Sequence, residues 1–392
     1  MPVFHRGARR RLIPRALLLL ALILWGINLG VVAGDRPRRP AAGGPLGPER
    51  EWVGAVHVHT RHSDGGGTVD EVARAAAAAG LDFVLVSDHN TLDGMEEAGY
   101  RHGVLVVVAT EQSLPEGHLV VAGVKEALRD PAERTAAAAR AAGGFSWIAH
   151  PFGRPSWKGP VPEAVSGIEI VNADSEWRDE SPLKLLSSLV ALPVFPQAPW
   201  NRLVDRPDKN LALFDSLSLE RPAFFVGAVD AHARIRLDKK GRFAIPFPSY
   251  ETLFRGIRTH ALLTAVPQGD GPGDTRLLLY AILNGRSFVG YDGFGESRGF
   301  RFAARRGDYA VGPGERLVAS NHARLEVELP LPGRARIRIY KNGALWKEGE
   351  GPGMDVEAGP GIYRVEVDQL RRSARPWILT NPIRIESPVA AG

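Results

Sequence analysis

The sequence predicts an α/β protein, a parallel sheet or barrel, followed by a small antiparallel β-sandwich. Three observations predict it. Short β-type runs alternate with helical ones from Trp52 to about residue 235, as βαβ units require. From about Gly299 the pattern changes to alternating strands separated by Gly, Pro and Asn turns. The 392 residues are 44% hydrophobic and 24% charged, which supplies a buried core and excludes a disordered chain.

The chain opens on a targeting segment. Arg6, Arg9, Arg10, Arg11 and Arg15 precede an apolar run from Ala16 to about Ala33. A run of about 18 residues is just long enough to span a bilayer as a helix. The arginines keep their end cytoplasmic, so the bulk of the chain is exported. Val31 and Ala33 offer a small-residue cleavage pattern, so residues 1–34 read as a removable signal peptide or an uncleaved membrane anchor. Arg9-Arg10-Arg11-Leu12-Ile13 also resembles a twin-arginine signal. Residues 35–51, rich in Pro, Gly and Arg, read as an extended linker, and removal of residues 1–50 is expected to leave the core intact.

The net charge of +5 divides into +7 over residues 1–40 and −2 over the remainder. The basic excess therefore belongs to the targeting segment, and a nucleic-acid partner loses its support. The chain has no cysteine, which excludes disulfides, thiolate metal sites and thiol nucleophiles.

Residues 52–298 form the first predicted domain. Strands are expected at 52–60, 82–90, 104–111, 118–124, 145–151, 167–174 and 224–232. Thr68 and Glu71 form a capping box that opens an alanine-rich helix, with Gly80 as its stop. Further helices are expected at about 131–142 and 181–192. Residues 278–292 read as a helix, a Gly turn and a strand closing this domain. In the second domain, 299–392, strands are expected at 324–330, 335–343 and 362–368, and Asn342-Gly343 is a hairpin signal.

The placement of acids and histidines points to chemistry. His57 and His59 lie near the end of the first strand, Asp88 and His89 end the second, Glu111 ends the third, His150 the fifth, and Asp230 and His232 the last. Active sites of parallel α/β folds lie at the carboxyl ends of the strands. Several strands delivering His, Asp and Glu to one rim is what a polynuclear metal site needs. Residues i and i+2 of a strand share a face, so His57 and His59 can chelate one ion. His118 is the weakest ligand on local grounds, because it begins a strand. His62, His102, His260 and His322 read as solvated or structural, and Gly65-Gly66-Gly67 as a turn.

At this point the residues resemble a family. His57-Val58-His59-Thr60 followed by Ser63-Asp64-Gly65 resembles the opening motif of the PHP (polymerase and histidinol phosphatase) metalloesterases. Ser87-Asp88-His89-Asn90, Ala149-His150-Pro151 and Asp230-Ala231-His232 are similar to their later motifs, in the same order. The resemblance implies a distorted (β/α)7 barrel holding two or three divalent ions (Zn, Mn or Fe). His57, His59, Glu111 and Asp230 would hold one ion. Glu111 would bridge to a second held by His118 and His150, and Asp64, His89 and His232 would hold the third. Asp88 would orient a histidine from behind, and Asn172 is a candidate to face the pocket. The closing GRSFV-type segment and the TNPI-like strand at 380–383 resemble the branch that includes carbaryl hydrolase.

The function expected is that of an exported metal-dependent hydrolase, foremost a phosphoesterase using a metal-bridging hydroxide. Asp230 or His232 would protonate the leaving group. The substrate would be a small anionic ester gripped by Arg154, Lys158 or Arg202, and the membrane is a partner only through an uncleaved N-terminal segment. The alternatives are a carbamate or carboxylic ester hydrolase on the same metals, and a catalytically silent binding protein. No polymerase module is present, and export disfavours a histidine-biosynthesis phosphatase.

Overall fold

The structure, a computed structural model, describes residues 6–37, 50–128, 130–236, 244–319, 323–330 and 334–388. Most of the expected linker, residues 38–49, and His322 lie outside the described residues.

Helix α1 (Arg6–Val32) and the single turn Ala33–Asp35 after it carry a 19-residue apolar stretch, Leu17–Asp35, that is long enough to cross a membrane and is almost wholly uncovered by protein. Its end is not free. Asp35 is buried and pairs with Arg375 at 3.0 Å, and Val32 packs against Ala191 and Ala198. A buried Asp35 needs its guanidinium partner, so the first residue of the expected linker packs on the fold. A cut at residue 50 would strip these contacts.

Seven strands close the barrel: β1 (Glu51–Val58), β2 (Phe83–His89), β3 (Val104–Leu114), β4 (Gly117–Ala122), β5 (Phe145–Ile148), β6 (Gly167–Asn172) and β7 (Phe224–Ala231), with β7 pairing back to β1. Alternate apolar residues of six strands, among them Val56, Leu85, Val107, Val120, Trp147 and Val226, meet in one cluster that fills the interior. The opposite faces pack under α2 (Val69–Ala78) and α3 (Ala132–Ala141). The Thr68–Glu71 capping box forms as expected, and α2 stops at Gly80, which takes a φ of +75° that a side chain would resist. Between β6 and β7 run α4 (Ala173–Arg178), α5 (Pro182–Leu189), α6 (Ala198–Leu203) and α7 (Asp208–Glu220). Helices α8 (Tyr250–Phe254) and α9 (Gly271–Leu283) follow, and α9 packs Leu278, Ala281 and Ile282 against the interior cluster.

The sheet is not wholly parallel. Strand β4 runs antiparallel to both β3 and β5. Only Pro115 and Glu116 separate β3 from β4, too few for the crossover a parallel pair needs. The reversal places the beginning of β4 on the rim where its neighbours end.

Beyond the barrel the chain adds β8 (Arg258–Leu262), β9 (Ser287–Gly290), β10 (Arg301–Arg306), β11 (Tyr309–Val311), β12 (Arg316–Val318), β13 (Ala323–Glu328), β14 (Ala335–Lys341), β15 (Ala344–Glu350), β16 (Gly353–Ala358), β17 (Gly361–Leu370), β18 (Ala374–Thr380) and β19 (Ile383–Glu386). Strand β9 does not close the barrel. It pairs with β8, which pairs with the first residues of β1, and with β18, so one sheet runs from the barrel into the sandwich. A four-stranded sheet, β11-β10-β13-β16, covers it, with Phe302, Leu325 and Val327 packed against Ile337, Val365 and Trp377. The Asn342-Gly343 turn joins β14 to β15, both residues having positive φ. Asn381 of the TNPI segment is fully buried and locks the layers together: its amide takes the backbone N–H of Phe225 in β7 at 2.8 Å and donates to Ser287 Oγ at 2.9 Å.

Candidate metal centre

The barrel rim gathers all nine of the sequence-predicted ligands. Strict alternation along β1, with Val53 and Ala55 packed toward the helices, would send His57 and His59 outward as well. A register shift between Val56 and Val58, with His57 at φ +68°, resets the phase. Both imidazoles then turn inward, their Nε2 atoms 3.1 Å apart. His57 and His59 share one face, as their i and i+2 spacing predicts, and the shift decides which face it is. His150 (φ +29°) and Asp230 (φ +51°) also sit in the left-handed region. Such backbone costs about 1–3 kcal/mol per residue and marks positions where side-chain direction matters more than stability.

Glu111 stands at the centre. Its Oε2 lies 3.2 Å from His57 Nε2, 3.4 Å from His59 Nε2 and 3.1 Å from His89 Nδ1. Its Oε1 lies 2.7 Å from His118 Nδ1 and 3.1 Å from His150 Nε2. One carboxylate thus faces two separate groups of imidazoles. On the opposite side Asp230 Oδ1 is 3.2 Å from His59 Nε2 and 3.6 Å from His57 Nε2, and Asp64 Oδ1 is 3.2 Å from His232 Nε2.

These donors fit cations better than they fit one another. A tetrahedral ion with bonds near 2.1 Å holds its ligand atoms about 3.4 Å apart. Among the described residues, three sets of donor atoms each lie within 4.8 Å of one another: His59, Asp64, His89 and His232; His57, His59 and Asp230; His89, Glu111 and His118. Asp230 Oδ1 and His89 Nδ1 are buried with no hydrogen bond, although nitrogen and oxygen atoms crowd around them. His59 and His89 each enter two sets, a sharing that the motif order alone did not indicate.

Electrostatics agree. Burial disfavours the imidazolium of His57, but Asp230, Glu169 and Glu111 outweigh it and hold the group well above its usual pKa. His150 is likewise raised to about 9, with Glu111 overcoming burial, and His232 to about 9 through Asp64 and Asp230. Burial pushes Glu111 and Asp230 up, yet the neighbouring histidines, His57 foremost, hold both carboxyls well below the usual range. His89 is lowered, chiefly by burial. Cations entering such a cluster displace protons.

Sequence reasoning missed Glu169, the one acid inside the apolar strand GIEIVN. Fully buried, it sits 2.6 Å from His57 Nδ1, accepts the His150 backbone N–H at 2.9 Å and takes the Asn172 amide at 2.8 Å. Asn172 does face the site, donating also to Asp230 Oδ2 at 3.1 Å. An acid behind a ligand fixes the ring tautomer and its basicity. Glu169→Gln is therefore expected to weaken divalent-ion binding about 10–100-fold, read by chelator-competition titration, with the far-ultraviolet spectrum unchanged.

Asp88 plays a different part from the one expected. Among the described residues it makes no hydrogen bond to a histidine. It accepts from the Thr60 backbone at 2.7 Å, from Thr60 Oγ1 at 2.6 Å and from Ser63, fixing the loop that carries Asp64. His62 and His102 pair with Glu97 and Asp70 near the surface.

A cavity of about 520 Å³ opens from Asp64, Asp230 and His232. Its walls are largely apolar: Trp177, Leu185, Leu189, Leu192, Trp200 and Phe247, with Arg178 and Arg234 as its cations. Arg154, Lys158 and Arg202 do not line it. The sequence expectation took them because they follow ligand-bearing strands, but Arg154 and Lys158 point to solvent.

No family model and no curated protein matches the chain. Among solved structures it is similar to a two-domain protein of Bacteroides vulgatus containing a predicted PHP-like metal-dependent phosphoesterase, at 12% identity and TM-score 0.43, over 88% of this chain and 99% of that one. It is also similar to a Bifidobacterium adolescentis protein named as a metal-dependent phosphoesterase, at 14% identity and TM-score 0.29, over 49% and 89% of the two chains. A third is an amidohydrolase of Chromobacterium violaceum with bound sulfate and no metal, at 16% identity and TM-score 0.32, over 46% and 87%.

Proposed function

We propose that this chain is a membrane-anchored, PHP-type metal-dependent hydrolase that cleaves phosphoesters. The observation that carries the proposal is Glu111, whose two oxygens face separate imidazole groups at 2.7–3.4 Å, as a carboxylate bridging two cations must. His57, His59, Glu111 and Asp230 would hold one cation, His118 and His150 with Glu111 a second, and Asp64, His89 and His232 a third. Cations held there would supply a nucleophile at neutral pH and neutralise charge building on the ester oxygens. An ester with several anionic oxygens makes the best use of a polynuclear site, which favours phosphoryl over acyl transfer.

The chain's own groups do the rest. Glu169 and Asn172 hold His57 and Asp230 in place. His232 and Asp230 have no proton to give while they hold cations, so the departing oxygen takes its proton from the attacking water. Hydrolysis adds one water: its oxygen joins phosphorus, the ester P–O bond breaks, and the leaving alcohol takes the proton.

Anchorage is supported by the arginine-rich flank and by the docked end of α1, whose Val32 and Asp35 contacts a cleaved signal peptide would forfeit in part. Purified full-length protein is expected to hold at least two divalent ions per chain. It should hydrolyse p-nitrophenyl phosphates or phosphodiesters faster than p-nitrophenyl acyl esters, and lose that activity to chelator. Faster acyl-ester turnover would move the assignment to the carboxylic ester or carbamate class. Full metal content without turnover of any ester would leave a binding protein.

A further inference from the structure

Helix α5 breaks the usual partition of apolar residues. Leu183, Leu186 and Leu189, with Val190 and Val194 just beyond, stand exposed, Leu183 by 80% and Leu186 by 57%. A cluster of this kind marks an interaction surface. The opposite side of the same segment, Leu185, Ser188 and Leu192, lines the cavity that reaches Asp230 and His232, and Leu189 belongs to both sides.

What covers this surface follows from its neighbour. Helix α1 lies alongside α5: Trp25 Nε1 donates to the Val190 carbonyl at 3.0 Å and the Asn28 amide to the Ser187 carbonyl at 2.9 Å. Leu29 and Val32 continue the contact against Ala191, Phe195 and Ala198. Trp25 and Asn28 lie ten and seven residues before Asp35, where the apolar stretch ends. At 1.5 Å of rise per residue, α5 sits about 10–15 Å inward from that end. The last turn of α1 is held in protein by Val32 and Asp35, so if α1 crosses the bilayer, α5 falls at the outer boundary, where interfacial helices bury their apolar faces.

We infer that α5 lies in the outer boundary of the membrane beside the anchor, and that the cavity receives phosphoester lipids from the bilayer. The phosphate end meets the ligand cluster and the apolar tail runs between Trp177, Leu189, Leu192 and Trp200 toward the acyl layer. This rests on the hydrolase and anchor readings above and names the substrate class of the same site. A water-soluble sugar or nucleotide ester would find few polar partners along those walls.

The absence of cysteine makes a direct test simple. Leu186→Cys, labelled with an environment-sensitive fluorophore in full-length protein reconstituted into phosphatidylcholine vesicles, is expected to be quenched by lipids spin-labelled along the acyl chain. Tyr309→Cys on the sandwich is expected to stay unquenched. An unquenched label at 186, whether wet or buried against a second copy, overturns the membrane seat. For substrate class, the same vesicles carry phosphatidic acid or phosphatidylglycerol, and water-soluble phosphate release is compared with p-nitrophenyl phosphate hydrolysis. Leu183→Ser with Leu186→Ser should slow the lipid reaction at least tenfold and leave the soluble one within twofold. Turnover of the soluble ester with none of either lipid overturns the lipid assignment alone. Turnover of neither overturns the phosphoesterase reading and the substrate class with it, while the label at 186 still decides the membrane seat.

Discussion

Replacing Glu111 with Gln is expected to abolish turnover, lowering kcat/KM by about 10³-fold or more, and to leave at most one divalent ion per chain. A polynuclear site contributes several kcal/mol of charge stabilisation, and each 1.4 kcal/mol is a tenfold rate. Glutamine keeps the shape and hydrogen-bonding reach of the side chain but offers one weak oxygen where two anionic ones faced five imidazole nitrogens. His57→Ala and Asp230→Ala should act in the same direction, each removing a donor from one set only. Metal analysis, kinetics with the p-nitrophenyl panel and thermal unfolding together separate this from a structural role. Glu111→Gln with full metal content and wild-type kcat/KM would sink the bridging assignment. A merely structural Glu111 would instead lower the unfolding temperature while activity per folded molecule persisted.

How far the sequence announced this site depends on the kind of signal. His57, His59, His89, Asp230 and His232 were legible because they end strands, and strand ends in an α/β fold converge on one rim. His118 was misleading for the same reason: its place at a strand beginning counted against it until the antiparallel turn at Pro115-Glu116 explained the position. That two-residue connection was present in the sequence, and its shortness alone forbids a parallel partner. Glu169 was hidden because a single acid in an apolar strand has no periodicity to give it away; burial beside His57 is a tertiary fact. The apolar wall of the cavity was equally silent. Residues 181–192 read simply as a helix, and only the structure places Leu185, Leu189 and Leu192 between the ligand cluster and α1. The strands of the sandwich were read from alternation, but alternation cannot say which sheet a strand joins, so the continuity through β8, β9 and β18 could not be foreseen.

That continuity has a charged hinge, and the second large effect belongs to it. His260 on β8 is fully buried opposite β1, with Nδ1 2.8 Å from Glu51 Oε1, Nε2 3.2 Å from Asp292 Oδ2 and its ring stacked on Phe288. Burial disfavours its charged form, but Asp292 and then Glu51 raise it to about 9. Arg258 and Ser297 also reach Asp292, and Glu296 pairs with Arg258; burial raises Asp292 and His260 pulls it down to about 2. A folded-state pKa of about 9 against an unfolded 6.5 corresponds to roughly 3 kcal/mol of stability. Because the folded value is the higher one, that contribution is complete below pH 6.5 and is lost as pH rises through 9. His260→Gln takes the cation from between two buried carboxylates, leaving Asp292 with Arg258 and Ser297 and Glu51 with the Gly299 N–H, and should cost about 3–5 kcal/mol at pH 6. By pH 9.5 the wild-type imidazole is itself neutral, so the gap between the two proteins should shrink by roughly 3 kcal/mol. Urea unfolding of both at the two pH values gives the difference directly, and the titrating histidines of the metal cluster cancel from it because both proteins carry them. A gap that stays constant from pH 6 to 9.5 would mean that His260 is neutral throughout, and that Glu51 and Asp292 hold the barrel to the sandwich without a cation between them.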